Sequence, residues 1–224
     1  VITVKLDLSE ASPDRMHKTG SGARDVRLFR NGSPVKMWRG DVALTNGQAA
    51  LEATLPLVAG ENQLTAYAFN RDNIKSADAT LTITGSDSLR RKGTAYIVAI
   101  GINQYANPQY NLRFAVADGQ EFTRELSNQQ TRIGNYARIE IITLLDCEAT
   151  KANILATLNK LAGASTTLSP TAAPVVLENI QPVEPEDAVI VFFAGHGTAQ
   201  ADRFYLIPHD LGYAGSLDAL DEAG

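Results

Sequence analysis

Thr94-Ala95-Tyr96-Ile97-Val98-Ala99-Ile100-Gly101 is the stretch on which the fold turns. A strand with one wet face alternates polar and apolar residues, and this one does not. An unbroken apolar run implies cover on both faces, as in a parallel sheet. Downstream, Leu112, Ala115, Val116, Gly119, Phe122 and Leu126 recur at helical spacing. Ile139–Leu145 reads as a second buried strand. Thr150 is an N-cap for a helix carrying Ile154, Leu158 and Leu161. Ala188–Ala194 is a third strand and Phe204–Ile207 a short fourth. Strand, helix, strand, helix, strand describes a mainly parallel sheet covered by helices, an α/β unit assigned to residues 94–224.

Upstream the pattern changes. Val26–Arg30 runs into Asn31-Gly32, and a second Asn-Gly, Asn46-Gly47, precedes the alternating Ala49–Leu57. Asn-Gly between strand-like runs marks a tight hairpin. Gln63–Phe69 and Ala79–Thr84 continue the series, and turn signals every ~8–12 residues suggest a β-sandwich over residues 1–86. The alternation of Val1–Leu8 is that of an internal strand, which would place a partner strand upstream. Trp38 reads as core or hairpin packing. Residues 87–93, polar and glycine-bounded, read as a linker. Gly163–Asp187, rich in Ala, Ser, Thr and Pro, reads as a disordered loop.

Composition narrows the function. Of 224 residues, 44% are apolar and 20% charged, which suits a globular protein with an ordinary core. Net charge is −5 and the longest basic run is Arg90-Arg91-Lys92, so no nucleic-acid face is expected. No apolar run reaches the ~20 residues that cross a bilayer, and the chain's start has no signal-peptide pattern, so no membrane role is expected. The single cysteine, Cys147, allows no disulfide within the stretch and suits the cytoplasm.

Open parallel sheets place chemistry just outside the carboxyl ends of their strands. Ala188–Ala194 ends in Gly195-His196-Gly197. A histidine there can exchange protons, and flanking glycines let a substrate backbone come close. Asp146 reads as a turn or cap residue and Cys147 as small hydrophobic packing. His17 and His209 read as incidental. No carboxylate cluster specifies a metal site, so no metal is expected.

Phe192-Phe193-Ala194-Gly195-His196-Gly197 resembles the histidine motif of the caspase and metacaspase clan of cysteine peptidases. Ala99–Tyr105 resembles the clan's first strand and exit loop, and Leu112–Asp118 the segment leading to its helix-borne aspartate. Leu144–Asp146 with Ala149, Thr150, Asn153 and Ile154 resembles the second strand and helix start. Phe204–Asp210 resembles the strand after the histidine loop. The likeness covers roughly residues 92–224, and residues 1–86 resemble an immunoglobulin-like module. The resemblance implies a cysteine endopeptidase acting on protein or peptide substrates without a cofactor. His196 would be the base and the Gly197 N–H half of an oxyanion hole. Asp118 would line the pocket that selects Arg or Lys before the cut bond.

The nucleophilic cysteine of such enzymes is expected ~50 residues after the histidine, so the resemblance places it beyond Gly224 and this stretch alone would be inert. Two residues depart from the metacaspase pattern: Ala194 replaces a serine and Ala115 a second cysteine. The sandwich would position the enzyme or dock a partner. The alternative is an inactive caspase-like scaffold. A nucleotide-binding doubly wound domain is disfavoured, because Gly101 is not followed by a glycine-rich loop.

Overall fold

The computed structural model describes residues 1–15, 18–164, 179–200 and 203–212. The chain divides into two compact units, Val1–Arg91 and Lys92–Gly224. His17 and residues 165–178 of the expected disordered loop lie outside the described residues.

The first unit is an antiparallel sandwich. Its strands are β1 (Ile2–Ser9), β2 (Arg24–Arg30), β3 (Ser33–Asp41), β4 (Gln48–Leu55), β5 (Gly60–Phe69) and β6 (Ala79–Gly85). One sheet has the order β3-β2-β5-β6, and β1 pairs with β4 in the other. Asn31 and Gly32 both take positive φ, 49° and 81°, the geometry that lets a two-residue turn match strand twist. Alternation then selects the inner face. Leu28, Ala53, Leu55, Leu64 and Ala66 are buried, with Ile2, Val4, Leu6 and Trp38 packed on them. Among the described residues β1 pairs along one edge only, with β4.

The two glycines that bound the expected linker do not supply freedom. A Cβ at Gly85 would collide with the Val58 carbonyl, and one at Gly93 with the Glu186 carbonyl. Both are glycine because another backbone passes against them. Gly93 also accepts the Ala137 N–H at 2.8 Å, which ties it to the second unit.

The second unit is built on β7 (Thr94–Gly101), buried throughout apart from Thr94. It sits at the centre of a parallel sheet of order β8-β7-β9, where β8 is Arg138–Leu145 and β9 is Ala188–Ala194. Helix α1 (Ala115–Ile133) lies on the face presenting Ala99 and Gly101. It comes so close that a Cβ on Gly101 would stand 2.7 Å from the Ala115 carbonyl oxygen. Helix α2 (Lys151–Leu161) covers the other face, where Ala156 and Leu161 pack with Tyr96, Val98 and Ile100. Fully burying an aliphatic side chain such as Ile97 is worth ~1.5–3 kcal/mol, so the apolar run that announces the strand also holds it in place.

The short fourth strand expected at Phe204–Ile207 forms as β11 (Arg203–Leu206), and it pairs antiparallel with β10 (Gly197–Gln200) in a separate ribbon. Phe204, Tyr205 and Leu206 are all exposed there. Periodicity could identify the strand but not its partner.

Candidate active site

After β7 the chain moves to β8 on one side, then passes back over β7 to β9 on the other. The exit loops of β7 and β9 therefore flank the point where strand order reverses, the crevice in which open α/β sheets bind ligands. His196 lies two residues past the end of β9, after Gly195, and the β7 exit segment folds against it.

That segment is Asn103 through Asn111, and asparagine side chains set its path. The Asn111 Oδ1 accepts the Tyr105 N–H at 2.8 Å, and the Asn103 Oδ1 accepts the Val116 N–H at 3.3 Å while its main-chain carbonyl accepts the Leu112 N–H at 2.8 Å. Asn107 caps a single turn, Pro108–Tyr110, by accepting the Gln109 N–H at 3.2 Å. Asp146 ends β8 at a positive φ of 47°, and its Oδ1 accepts the N–H groups of Asn103 and Gln104, each at 2.8 Å. The turn residue expected at 146 thus fastens the neighbouring loop. His209, read as incidental to the chemistry, holds the same loop. Its Nδ1 lies 2.6 Å from the Gln104 carbonyl oxygen, its N–H donates to Ala149 O, and its own carbonyl accepts the Ala106 N–H.

Two tyrosines from this segment grip His196. The imidazole Nε2 lies 2.9 Å from the Tyr110 carbonyl oxygen. A carbonyl only accepts, so Nε2 carries the proton, and in the neutral ring Nδ1 is the basic nitrogen. The main-chain N–H of His196 donates to Tyr105 Oη at 2.8 Å. The rings of Tyr105 and Tyr110 stand 5.2 and 6.2 Å from the imidazole, centroid to centroid. Both tyrosines are buried, and His196 is half-buried. Burial pushes the Tyr105 hydroxyl above the ordinary tyrosine value, and the hydrogen bond from His196 only partly offsets this. The phenol is therefore neutral near pH 7.

Gly197 opens β10 opposite Leu206. The Ile207 N–H donates to the His196 carbonyl at 3.0 Å, which makes Gly197 and Leu206 a non-hydrogen-bonded pair. The Gly197 N–H consequently points away from β11, and no described group accepts it. A Cβ at 197 would meet the tip of the Phe204 ring, an exposed side chain that has room to swing aside.

The remaining candidates stand apart. Asp118 is exposed in the first turn of α1, and no described contact joins it to His196 or Gly197. A carboxylate so exposed is screened by solvent and exerts less selection than the buried group the resemblance implies. Cys147 is exposed rather than packed, so the packing role expected for it is not met. It follows β8, which lies across β7 from β9, two strand spacings or roughly 10 Å from the histidine strand.

Periodicity and motif reading singled out His196 and Gly197 as candidates, but not Tyr105 and Tyr110, which hold His196, nor Asp146 and His209, which hold the loop that carries them. The available signal was the density of Asn and Tyr in Asn103–Asn111, directly after a buried strand. Among the described residues no group of three or more His, Cys, Asp or Glu could hold a metal ion. Among the described residues no helix is long and apolar enough to cross a membrane.

No protein-family model matches this chain, and no curated protein does. Among solved structures, the fibronectin(III)-like modules of CbhA from Clostridium thermocellum match it at 15% identity, with a TM-score of 0.24. The match covers 37% of this chain and 79% of that one.

Proposed function

We propose that the α/β unit is the histidine-bearing part of a caspase-like cysteine endopeptidase. The observation that carries this reading is the state of His196. Tyr110 holds its Nε2–H, and no described group holds Nδ1, which can take a proton beside a Gly197 N–H turned away from its own ribbon.

In this reading a thiol from a segment outside the 224 residues gives its proton to Nδ1. The sulfur bonds to the scissile carbonyl carbon, and the carbonyl oxygen becomes an oxyanion facing the Gly197 N–H. Such a donor is typically worth ~3 kcal/mol in the transition state. The C–N bond then breaks, and the imidazolium returns its proton to the leaving amine. Water, deprotonated by the same nitrogen, releases the acid and restores the thiol. No cofactor enters these steps.

Two features favour a nucleophile from a further strand. Among the described residues β9 has β7 on one edge and no partner on the other, and Val189 and Val191 are exposed along it. A strand added there would end ~4.8 Å from β9, with its exit loop beside Gly195–Gly197. Asp118 would select Arg or Lys once covered by substrate, and the sandwich would position the enzyme or dock a partner.

The test is turnover of Arg- and Lys-bearing peptides by the full-length protein and its His196→Ala variant. The variant should fold normally and lose at least ~10³-fold in kcat, since base and proton donor vanish together. Variant activity within tenfold of wild type overturns the assignment. A folded wild type without turnover on any peptide library favours the inactive scaffold.

A further inference from the structure

His196 has a second polar group whose partner decides its orientation. Its main-chain N–H lies past the end of the β7–β9 ladder, where Ile102 N–H donating to Ala194 O, at 3.0 Å, is the last rung. A half-buried N–H beyond the ladder would be an orphan, and such groups need an acceptor. Tyr105 Oη takes that place at 2.8 Å.

The acceptor is built in rather than incidental. Tyr105 is 5% exposed, and its ring stands edge-on to Tyr110 at 6.4 Å. Its own N–H is held by Asn111 Oδ1, and the next N–H, of Ala106, by the His209 carbonyl. Gly195 leaves the hydroxyl its space: a Cβ there would lie 2.8 Å from Oη. Two tyrosines five residues apart therefore hold the two sides of one histidine. Tyr110 fixes the imidazole through its carbonyl, and Tyr105 fixes the peptide through its hydroxyl.

We propose that the Tyr105 hydroxyl is a positioning residue that sets the Gly195–Gly197 backbone, and so aims the Gly197 N–H and the His196 ring together. Its effect on turnover rests on the peptidase reading above, whereas its effect on the loop does not. Removing the hydroxyl keeps the ring packing but leaves the His196 N–H without its acceptor. The 195–197 peptides then rotate among several orientations, and Nε2 loses its fixed distance to Tyr110.

The experiment has two arms, both using Tyr105→Phe. In the 224-residue chain, NMR reads amide exchange at His196 and the imidazole tautomer from its ring nitrogen shifts. The expected result is at least tenfold faster exchange at His196 and a smaller Nε2–H fraction, with the amides of Ile97–Ile100 unchanged. In the full-length protein, kcat should fall ten- to a hundredfold while KM stays within threefold, because the contact acts on the transition state and not on substrate binding. Unchanged exchange and tautomer overturn the positioning role whatever the activity. A changed loop with unchanged kcat in an active enzyme overturns its catalytic consequence. A wild type without turnover refutes the peptidase reading, and the NMR arm still decides the role of the hydroxyl. If Tyr105→Phe fails to fold, Gly195→Ala, which displaces the hydroxyl without deleting it, should give the same two signatures.

Discussion

Replacing Asp146 should loosen the loop that carries both tyrosines, by an amount the geometry sets. Its Oδ1 accepts two main-chain N–H groups at 2.8 Å, from Asn103 and Gln104. Hydrogen bonds to a charged acceptor contribute ~1.5–3 kcal/mol each. Asp146 is only half-buried and Gln104 is exposed, so water recovers part of the loss. The pair is therefore worth about 2 kcal/mol. Asp146 also sits at φ 47°, which aspartate and glycine tolerate and alanine does not. Alanine at positive φ is net about 1 kcal/mol worse than glycine. The series should read Asp146→Asn below about 1 kcal/mol, because the acceptor remains, Asp146→Gly about 2 and Asp146→Ala about 3. At roughly 3–5 °C per kcal/mol for a unit of this size, alanine should lower its midpoint by about 9–15 °C. Calorimetry measures the shift, with unfolding of the sandwich as internal reference. Hydrogen exchange should speed up at Asn103, Gln104 and His196 and not in β5. An alanine variant within 0.5 kcal/mol of wild type, or equal to glycine, refutes the reasoning.

If the peptidase reading holds, the full-length protein should prefer Arg or Lys before the cut bond and ignore Asp, because a carboxylate at 118, once covered by substrate, attracts a cation and repels an anion. A library profile dominated by Asp or an apolar residue removes Asp118 from the site. Self-cleavage between the units should follow Arg90 or Arg91 and spare Lys92, whose ammonium donates to the Gly134 carbonyl at 3.0 Å in a structured corner. Mass spectrometry of incubated active enzyme reads the cut, and an intact linker refutes it. Tyr105 should also leave an alkaline signature. Its folded value is raised, so its contribution is complete below about pH 10 and fades as pH rises through the folded value. The stability gap between wild type and Tyr105→Phe should shrink above about pH 10, and a constant gap refutes burial as the cause.

The candidate site was legible in part, and the division follows from how far each signal reaches along the chain. His196 and Gly197 stand out because a buried strand must end somewhere, and Gly-His-Gly at that end is a local pattern. Tyr105 and Tyr110 do not stand out, since their role depends on the β7 exit segment crossing to a residue some ninety positions later. The same limit explains Asp146, which reads as a turn residue from its neighbours and serves as an acceptor for another strand's loop. Cys147 was misread because an apolar side chain suggests burial, while its turn beyond β8 leaves it in solvent.

Burial pattern and turn chemistry act between residues only a few positions apart, so they were settled by order alone. The unbroken run Thr94–Gly101 required a strand covered on both faces, and Asn31-Gly32 required a tight hairpin between β2 and β3. Which strands pair is a different kind of fact, because backbone hydrogen bonds carry no side-chain identity. Only the tertiary structure set β7 between β8 and β9, sent β11 to β10 instead of the parallel sheet, and turned Gly85 and Gly93 from apparent flexibility into close backbone contacts. It alone brought a tyrosine hydroxyl to the one N–H of His196 that the ladder leaves over.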